Sequence, residues 1–305
     1  MRSNPNKWIS KQLCIADASF TCNLYCRYCH NPPTGEKKTL DHIIDRVKKE
    51  KVDAVSLEGQ GEPLTNPNIF KLIKELKKNG VNHIMISTNG VNLSDIEFTK
   101  KLSKDVEFFV INIPSHIKET YNYITRSIKY DMLINGLNNL RELKLLKKVR
   151  LFHIIMKPNY KYLNDFVEWV KDNYKDVSLI NFVFIRNKGR VNNSKELVPK
   201  YSEVSPYVRI ALGKSKLYGI KAIIQNYPLC MLPNFEGFSF EFLRWKRGDN
   251  VFEKGVEMPL MIEKCKKCSL KLACCGARKD YIKIYGFDEL KTSKLDLNKI
   301  KPQKF

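Results

Sequence analysis

No apolar run in this 305-residue chain approaches the roughly 18 residues needed to cross a bilayer, so no membrane partner is expected. The first thirteen residues, MRSNPNKWISKQL, are polar and lack the apolar centre of roughly 7 to 15 residues that a secretory signal carries. A cytoplasmic, reducing location is therefore expected. Acidic residues are scarce: 32 Asp and Glu face 54 Lys and Arg, a net charge of +22. A positive field of that size favours anionic partners such as RNA or an acidic peptide. Most of it is lysine, however, set singly or in pairs on helix faces (Lys71, Lys74, Lys77, Lys78; Lys144, Lys147, Lys148), which is also how a solvated surface is built. No separate RNA-binding module is evident, and the aromatics of the tail are not interleaved in an RNA-binding pattern.

Cysteine, by contrast, is plentiful. Nine cysteines in a small secreted protein would suggest disulfides, but here three fall in one early loop and four in a late segment of a long chain. Metal ligation is the better account. Cys22, Cys26 and Cys29 follow Cx3Cx2C spacing. Three thiolates on one short segment cannot complete a tetrahedral zinc site, but each can ligate one iron of a cubane and leave the fourth open. Tyr28, just before the third, sets an aromatic ring where it can pack beside a cofactor on that iron.

Strands and helices alternate around this loop. The patterns predict a first strand over 13–19, further strands over 53–57, 82–87, 106–113, 149–156 and 178–185, and amphipathic helices between them. Leu133, Leu137, Leu140 and Leu143 mark the strongest helix, within 129–146. Six such units in about 200 residues fit an α/β partial (β/α)6 barrel, and a doubly wound sheet fits the same alternation. The second strand runs into Glu58-Gly59-Gln60-Gly61-Glu62-Pro63, the third ends in Thr88-Asn89-Gly90, the fourth precedes Ser115 and His116, and the fifth ends at Lys157-Pro158-Asn159. His116 reads equally as a surface histidine or a proton donor on the substrate side.

The Cys22, Cys26, Tyr28, Cys29 string resembles the signature of the radical S-adenosylmethionine (SAM) superfamily, CxxxCxΦC with an aromatic at Φ. The resemblance implies a 4Fe-4S cluster that binds SAM, cleaves it reductively to a 5'-deoxyadenosyl radical and so abstracts hydrogen from a substrate carbon. It also implies an open partial barrel and a reductant such as flavodoxin or ferredoxin. The GQGEP string is similar to the family's GGE motif, with Gln60 in place of the first glycine, and this gives Gly61 and Glu62 a place near the SAM amino group. By the same resemblance Tyr28, Asn89, Ser115 and Asn159 are candidate SAM contacts.

Late in the chain Cys230 is followed by Cys265, Cys268 and Cys274 in CxxCx5C spacing, with Cys275 adjacent. Four thiolates could hold zinc. The string also resembles the SPASM or shorter Twitch extensions of the same superfamily, which hold auxiliary 4Fe-4S clusters. It departs from full SPASM in that Arg278 stands where the next cysteine would be, so one auxiliary cluster is expected, bound by Cys230, Cys265, Cys268 and Cys274. Cys275 is the rival for the last place, and Cys14 reads as a small core residue. The expected organisation is an N-terminal extension over 1–12, a barrel over 13–215 and an auxiliary-cluster region over 216–305. Relatives with such extensions commonly modify peptides or proteins, so oxidation or crosslinking of a peptide or protein is the leading expectation. RNA modification and dehydrogenation of a small metabolite are the alternatives. The sequence names no catalytic residue, and no leader-peptide recognition domain is expected before Cys14.

Overall fold

The computed structural model describes residues 13–35, 41–251 and 259–303. The expected 1–12 extension lies outside them, as does the side chain of Cys14. Seven strands run β1 (Leu13–Asp17), β2 (Ala54–Glu58), β3 (His83–Thr88), β4 (Phe108–Asn112), β5 (Val149–Ile155), β6 (Leu179–Phe184) and β7 (Ala222–Gln225). They hydrogen-bond in chain order, β1-β2-β3-β4-β5-β6-β7. The α/β partial-barrel expectation is met, and the six predicted strands fall where alternation and apolar runs placed them. β7 is an addition. It pairs parallel to β6 (Ile180↔Ala222 through Val183↔Gln225) and lies past residue 215, where the barrel was expected to stop.

The helices are α1 (Asp41–Glu50), α2 (Ile69–Lys78), α3 (Ile96–Leu102), α4 (Lys118–Thr125), α5 (Tyr130–Glu142), α6 (Leu163–Tyr174), α7 (Tyr201–Leu217), α8 (Phe240–Lys246), α9 (Glu263–Lys266) and α10 (Lys279–Tyr285). Each long one buries a stripe: Ile69, Leu72, Ile73 and Leu76 in α2; Leu133, Leu137 and Leu140 in α5; Phe166, Val167 and Val170 in α6. Burial of such a side chain is worth about 1.5–3 kcal/mol, so tertiary packing outweighs the capping bonds of these helices. β2 is buried over Ala54–Leu57 with scarcely any alternation, as expected of a parallel strand covered on both faces.

The chain divides into two compact units. The first comprises 1–113, 117–151 and 176–178, with β1 to β4 in parallel register (Leu13↔Ala54, Ala54↔His83, Met85↔Phe108). The second comprises 114–116, 152–175 and 179–305 and contains β6, β7 and all the late cysteines. Among the described residues, no helix is long and apolar enough to cross a membrane.

Candidate functional site

In the first unit, the cysteine loop leaves the end of β1 and is fastened at several points. Gly35 donates to the Phe20 carbonyl (3.0 Å), Tyr25 to that of Thr125 (3.2 Å) and Arg27 to that of Ile124 (2.9 Å). Asn23 donates its amide to Asn92 Oδ1 (2.9 Å) and accepts from Asn89 Nδ2 (2.7 Å). The three thiols are electrostatic neighbours, Cys22 of Cys29 and Cys26 of both others. Cys22 Sγ accepts from the Leu24 amide (3.4 Å) and, at 3.9 Å, from Asn89 Nδ2. Cys26 shares a side-chain hydrogen bond with Tyr28, and burial pushes its thiol up to about 12. Tyr28 is buried, and its hydroxyl also accepts from Asn112 Nδ2 (2.7 Å) at the end of β4. The Tyr28 ring is thus anchored under the loop, with its polar end on a cysteine. Nearby, the buried Tyr121 hydroxyl has no hydrogen-bond partner, and Cys26, Glu62 and Cys22 are its ionisable neighbours.

The ends of β2 and β3 are tied to this loop by Glu62. Its carboxylate is buried and accepts from Thr88 Oγ1 (2.6 Å), the Leu64 amide (3.1 Å) and the Asn89 amide (2.7 Å). Burial raises its proton affinity, and those donors pull it back down without cancelling the rise. The Glu62 amide donates to the Thr21 carbonyl (2.7 Å). Gly61 is required by that approach: a Cβ there would stand 2.3 Å from the Thr21 carbonyl oxygen and 2.6 Å from that of Ser19. Gly61→Ala is therefore expected to push the loop away from β2. Iron retained after anaerobic reconstitution should fall together with Tm, and a variant with wild-type iron content would contradict this packing.

In the second unit, Asn159 is 1% exposed and its amide is fully used, donating to the carbonyls of Pro114 (2.7 Å) and Ile154 (2.7 Å) and accepting from the Met156 amide (2.7 Å). Its side chain sets the backbone beside Ser115, which is buried. His116 lies against the rings of Phe166 and Trp169, each 5.9 Å away, and burial lowers its proton affinity against a smaller opposing pull from Asp165.

The late cysteines converge in that unit. Cys274, Cys268 and Cys265 are ionisable neighbours of Cys230, and Cys274 and Cys268 of Cys265. Backbone amides aim at all four sulfurs: Leu229 (3.3 Å) and Gly276 (3.3 Å) at Cys274, Ser293 (3.4 Å) at Cys268, Lys291 at Cys230 and Ala277 at Cys265. Burial pushes Cys230 up to about 11. Cys274 is instead lowered, first by a hydrogen bond from the Cys275 thiol and then, against burial, by the two amides. Cys275 is buried and supports its neighbour from the side. Leu229, Phe242, Leu243, Leu270 and Ala273 form the apolar layer that backs Cys268 and Cys274. Among the described residues, no three His, Cys, Asp or Glu side chains are grouped as ligands of a single metal ion.

Residues 18–170, half of the chain, match the family model of the radical SAM superfamily. The chain belongs to the radical SAM superfamily. Among curated proteins it is similar to a probable GTP 3',8-cyclase of Methanocaldococcus jannaschii, 25% identical over 232 residues that cover 73% of this chain and 72% of that one. It is also similar to the GTP 3',8-cyclase of Peptoclostridium acidaminophilum, 28% identical over 56% of this chain and 55% of that one. The chain thus spans little more than half the length of that second relative. Among solved structures, anSMEcpe with bound AdoMet and the Cp18Cys peptide shares the fold, with a TM-score of 0.60 and 17% identity over 93% of this chain and 92% of that one.

As a radical SAM protein the chain takes SAM and a 4Fe-4S cluster, and the donor set fits them. Three neighbouring thiols on one fastened loop, with an unpartnered buried hydroxyl at Tyr121 that has Cys26 and Cys22 among its neighbours, make a cradle for a cluster. Of the other residues singled out in the sequence, Gly61, Glu62, Asn89 and Tyr28 gather in the unit that holds this loop, and Ser115 and Asn159 belong to the second unit. Sequence reading missed Asn23, Asn92, Asn112 and Tyr121, because an asparagine or tyrosine in a loop or helix gives no sign of which neighbour its polar end will meet. Thr88 could have been found, since it begins the Thr-Asn-Gly end of β3.

Proposed function

We propose that Cys22, Cys26 and Cys29 hold the SAM-binding cluster, that Cys230, Cys265, Cys268 and Cys274 hold a second 4Fe-4S cluster, and that the enzyme oxidises or crosslinks a peptide or protein substrate. When bound, the first cluster and SAM supply the 5'-deoxyadenosyl radical that removes a substrate hydrogen. The observation that carries the reading is the second group of thiols, four donors each supplied with a backbone amide. Four cysteines would fill every corner of a cubane, so a cluster held by them would supply electron transfer and no open iron. The amides offset thiolate charge, which favours the reduced state that accepting an electron produces. Hydrogen abstraction followed by loss of one electron and one proton leaves the substrate two hydrogens poorer, as in oxidation or bond formation. Glu62, Asn89 and Asn159 serve by fixing backbone, since their side-chain groups are already bonded, while Gly61, Tyr28 and Ser115 complete the candidate SAM surroundings. Residues 216–305 act as the auxiliary region in this reading.

A second reading, cyclisation of a purine nucleotide, is favoured by the curated GTP 3',8-cyclases and by the net charge of +22. Anaerobic reconstitution tests the cluster count: about eight irons are expected for two clusters and about four with zinc in the tail. Cys274→Ala should lose about half the iron, and Cys275→Ala should keep it. Incubation with a synthetic peptide library, read by mass spectrometry for loss of two hydrogens, tests the substrate. Stimulation of 5'-deoxyadenosine formation by GTP and not by peptides would replace the first reading with the second.

A further inference from the structure

Three side-chain amides of the first unit form a chain whose direction is fixed at both ends by backbone. At one end Asn92 donates Nδ2 to the Leu64 carbonyl (2.7 Å), a group that only accepts. Asn92 Oδ1 then accepts from Asn23 Nδ2 (2.9 Å), and Asn23 Oδ1 from Asn89 Nδ2 (2.7 Å). At the other end the Val91 amide, which only donates, meets Asn89 Oδ1 (3.0 Å). Turning over any one of the three would set oxygen against oxygen or N–H against N–H, so each holds a single orientation. The backbone of Asn89 is fixed as well, by its amide on the Glu62 carboxylate (2.7 Å). Asn89 Nδ2 carries two hydrogens. Asn23 takes one, and the other faces Cys22 Sγ at 3.9 Å, a long contact for a hydrogen bond to sulfur. Cys22 and Asn23 are neighbours in the chain, so the loop that carries this thiol also carries the brace that aims a donor at it.

We propose that Asn89 is a positioning residue for the first cluster, whose amide, aimed at the Cys22 sulfur by Asn23 and Asn92, makes that cluster easier to reduce. The inference rests on the reading of Cys22 as a cluster ligand. A hydrogen bond to a ligating sulfur offsets negative charge, and a reduced cluster carries one more negative charge than an oxidised one. The bond is therefore stronger after reduction than before, and the potential rises. The Leu24 amide acts on the same sulfur at 3.4 Å, but it is backbone; Asn89 supplies the part of the effect that a side chain sets. Accepting from Val91 makes the Asn89 amide a better donor. No atom is transferred, and Asn89 keeps both protons. Two other roles fit less well. A side chain whose donors are both taken has none to offer SAM, and a plain strut would hold Cys22 in place without acting on its charge. Water is the real competitor, because Cys22 is exposed, yet a fixed amide needs no reorganisation when the electron arrives.

The test is a redox titration of anaerobically reconstituted enzyme, followed by electron paramagnetic resonance on the signal that added SAM perturbs, which belongs to the first cluster. Asn89→Ala leaves every cysteine and the Leu24 bond in place. Its reduction equilibrium should fall about three- to tenfold below that of the wild type, tenfold being about 59 mV for one electron. Asn23→Ala, which removes the brace and keeps the donor, should shift the equilibrium the same way by less. An unchanged potential in Asn89→Ala would overturn the proposal and show that water serves Cys22 as well. Lower iron content at that unchanged potential is what a plain strut predicts, and it overturns the proposal equally. Should Asn89→Ala hold too little cluster to titrate, wild-type enzyme with an isotopic nitrogen label in its asparagine side chains decides. Pulsed resonance on the same signal should then show a labelled nitrogen coupled to the reduced cluster, and its absence would overturn the proposal. A wild-type enzyme with no SAM-perturbed signal would overturn the assignment of Cys22 itself and the proposal with it, a result distinct from an unmoved potential in the variant.

Discussion

Alanine in place of Cys26 is expected to abolish 5'-deoxyadenosine formation and to remove about four of about eight irons. Cys26 is half-buried, has Cys22 and Cys29 as neighbours, and shares a hydrogen bond with Tyr28. The remaining pair cannot hold three irons of a cubane. Cys22→Ala and Cys29→Ala should behave alike. Iron analysis and chromatography of the reaction products measure both effects. Nucleoside release that persisted in all three variants would remove these thiolates from the mechanism.

Arg278→Met is expected to cost about 3–5 kcal/mol of stability, read as a lower urea midpoint for anaerobically reconstituted enzyme. The Arg278 side chain is 10% exposed; it donates to Asp280 Oδ1 (3.0 Å) and Oδ2 and to the carbonyls of Asn226 (3.1 Å) and Ile185 (3.1 Å). Asp280 in turn accepts from the Asn187 amide (2.8 Å). This pair joins the ends of β6 and β7 to α10. Removing the cation strands a carboxylate only 15% exposed and two carbonyls, and the cost of that exceeds the Coulombic value of the pair. Burial pushes the Asp280 carboxyl upward, but the Arg278 guanidinium outweighs it and holds the group below the usual carboxylate range. A carboxyl depressed in the folded state stabilises the protein above the unfolded value and loses that contribution as pH falls through the folded one. The gap between wild type and Arg278→Met should therefore narrow below about pH 4. The double variant Arg278→Met/Asp280→Asn should recover part of the loss. An unchanged midpoint in the single variant would show that water replaces the guanidinium.

The early cysteine loop was legible because its chemistry lies in spacing along the chain, and spacing survives folding. The strands were legible for a similar reason: parallel strands announce themselves by apolar runs such as those of β2 and β4. β7 was not, because four residues after a long helix carry too little pattern to separate a strand from a buried turn. The late cysteines were legible as a group but not in detail. Cys274 and Cys275 are adjacent, and only the folded backbone shows that Leu229 and Gly276 turn their amides to the first, while the second lies buried beside it. Polar residues at strand ends were the weakest signals. Nothing in the sequence tells that the side-chain amides of Asn159 and Asn89 also bond Pro114, Ile154, Asn23 and Val91, since tertiary neighbours decide this. Arg278 drew notice only as a missing cysteine, and its real work is to hold two strand ends to a helix.

The amides of Lys291 and Ser293 reach back to Cys230 and Cys268 from near the end of the described chain. During synthesis Cys22, Cys26 and Cys29 emerge first, whereas Cys230 and Cys268 gain these donors only once residue 293 has been made. A chain cut short between Cys275 and Lys291 would keep all nine cysteines and lose the amides at two of them.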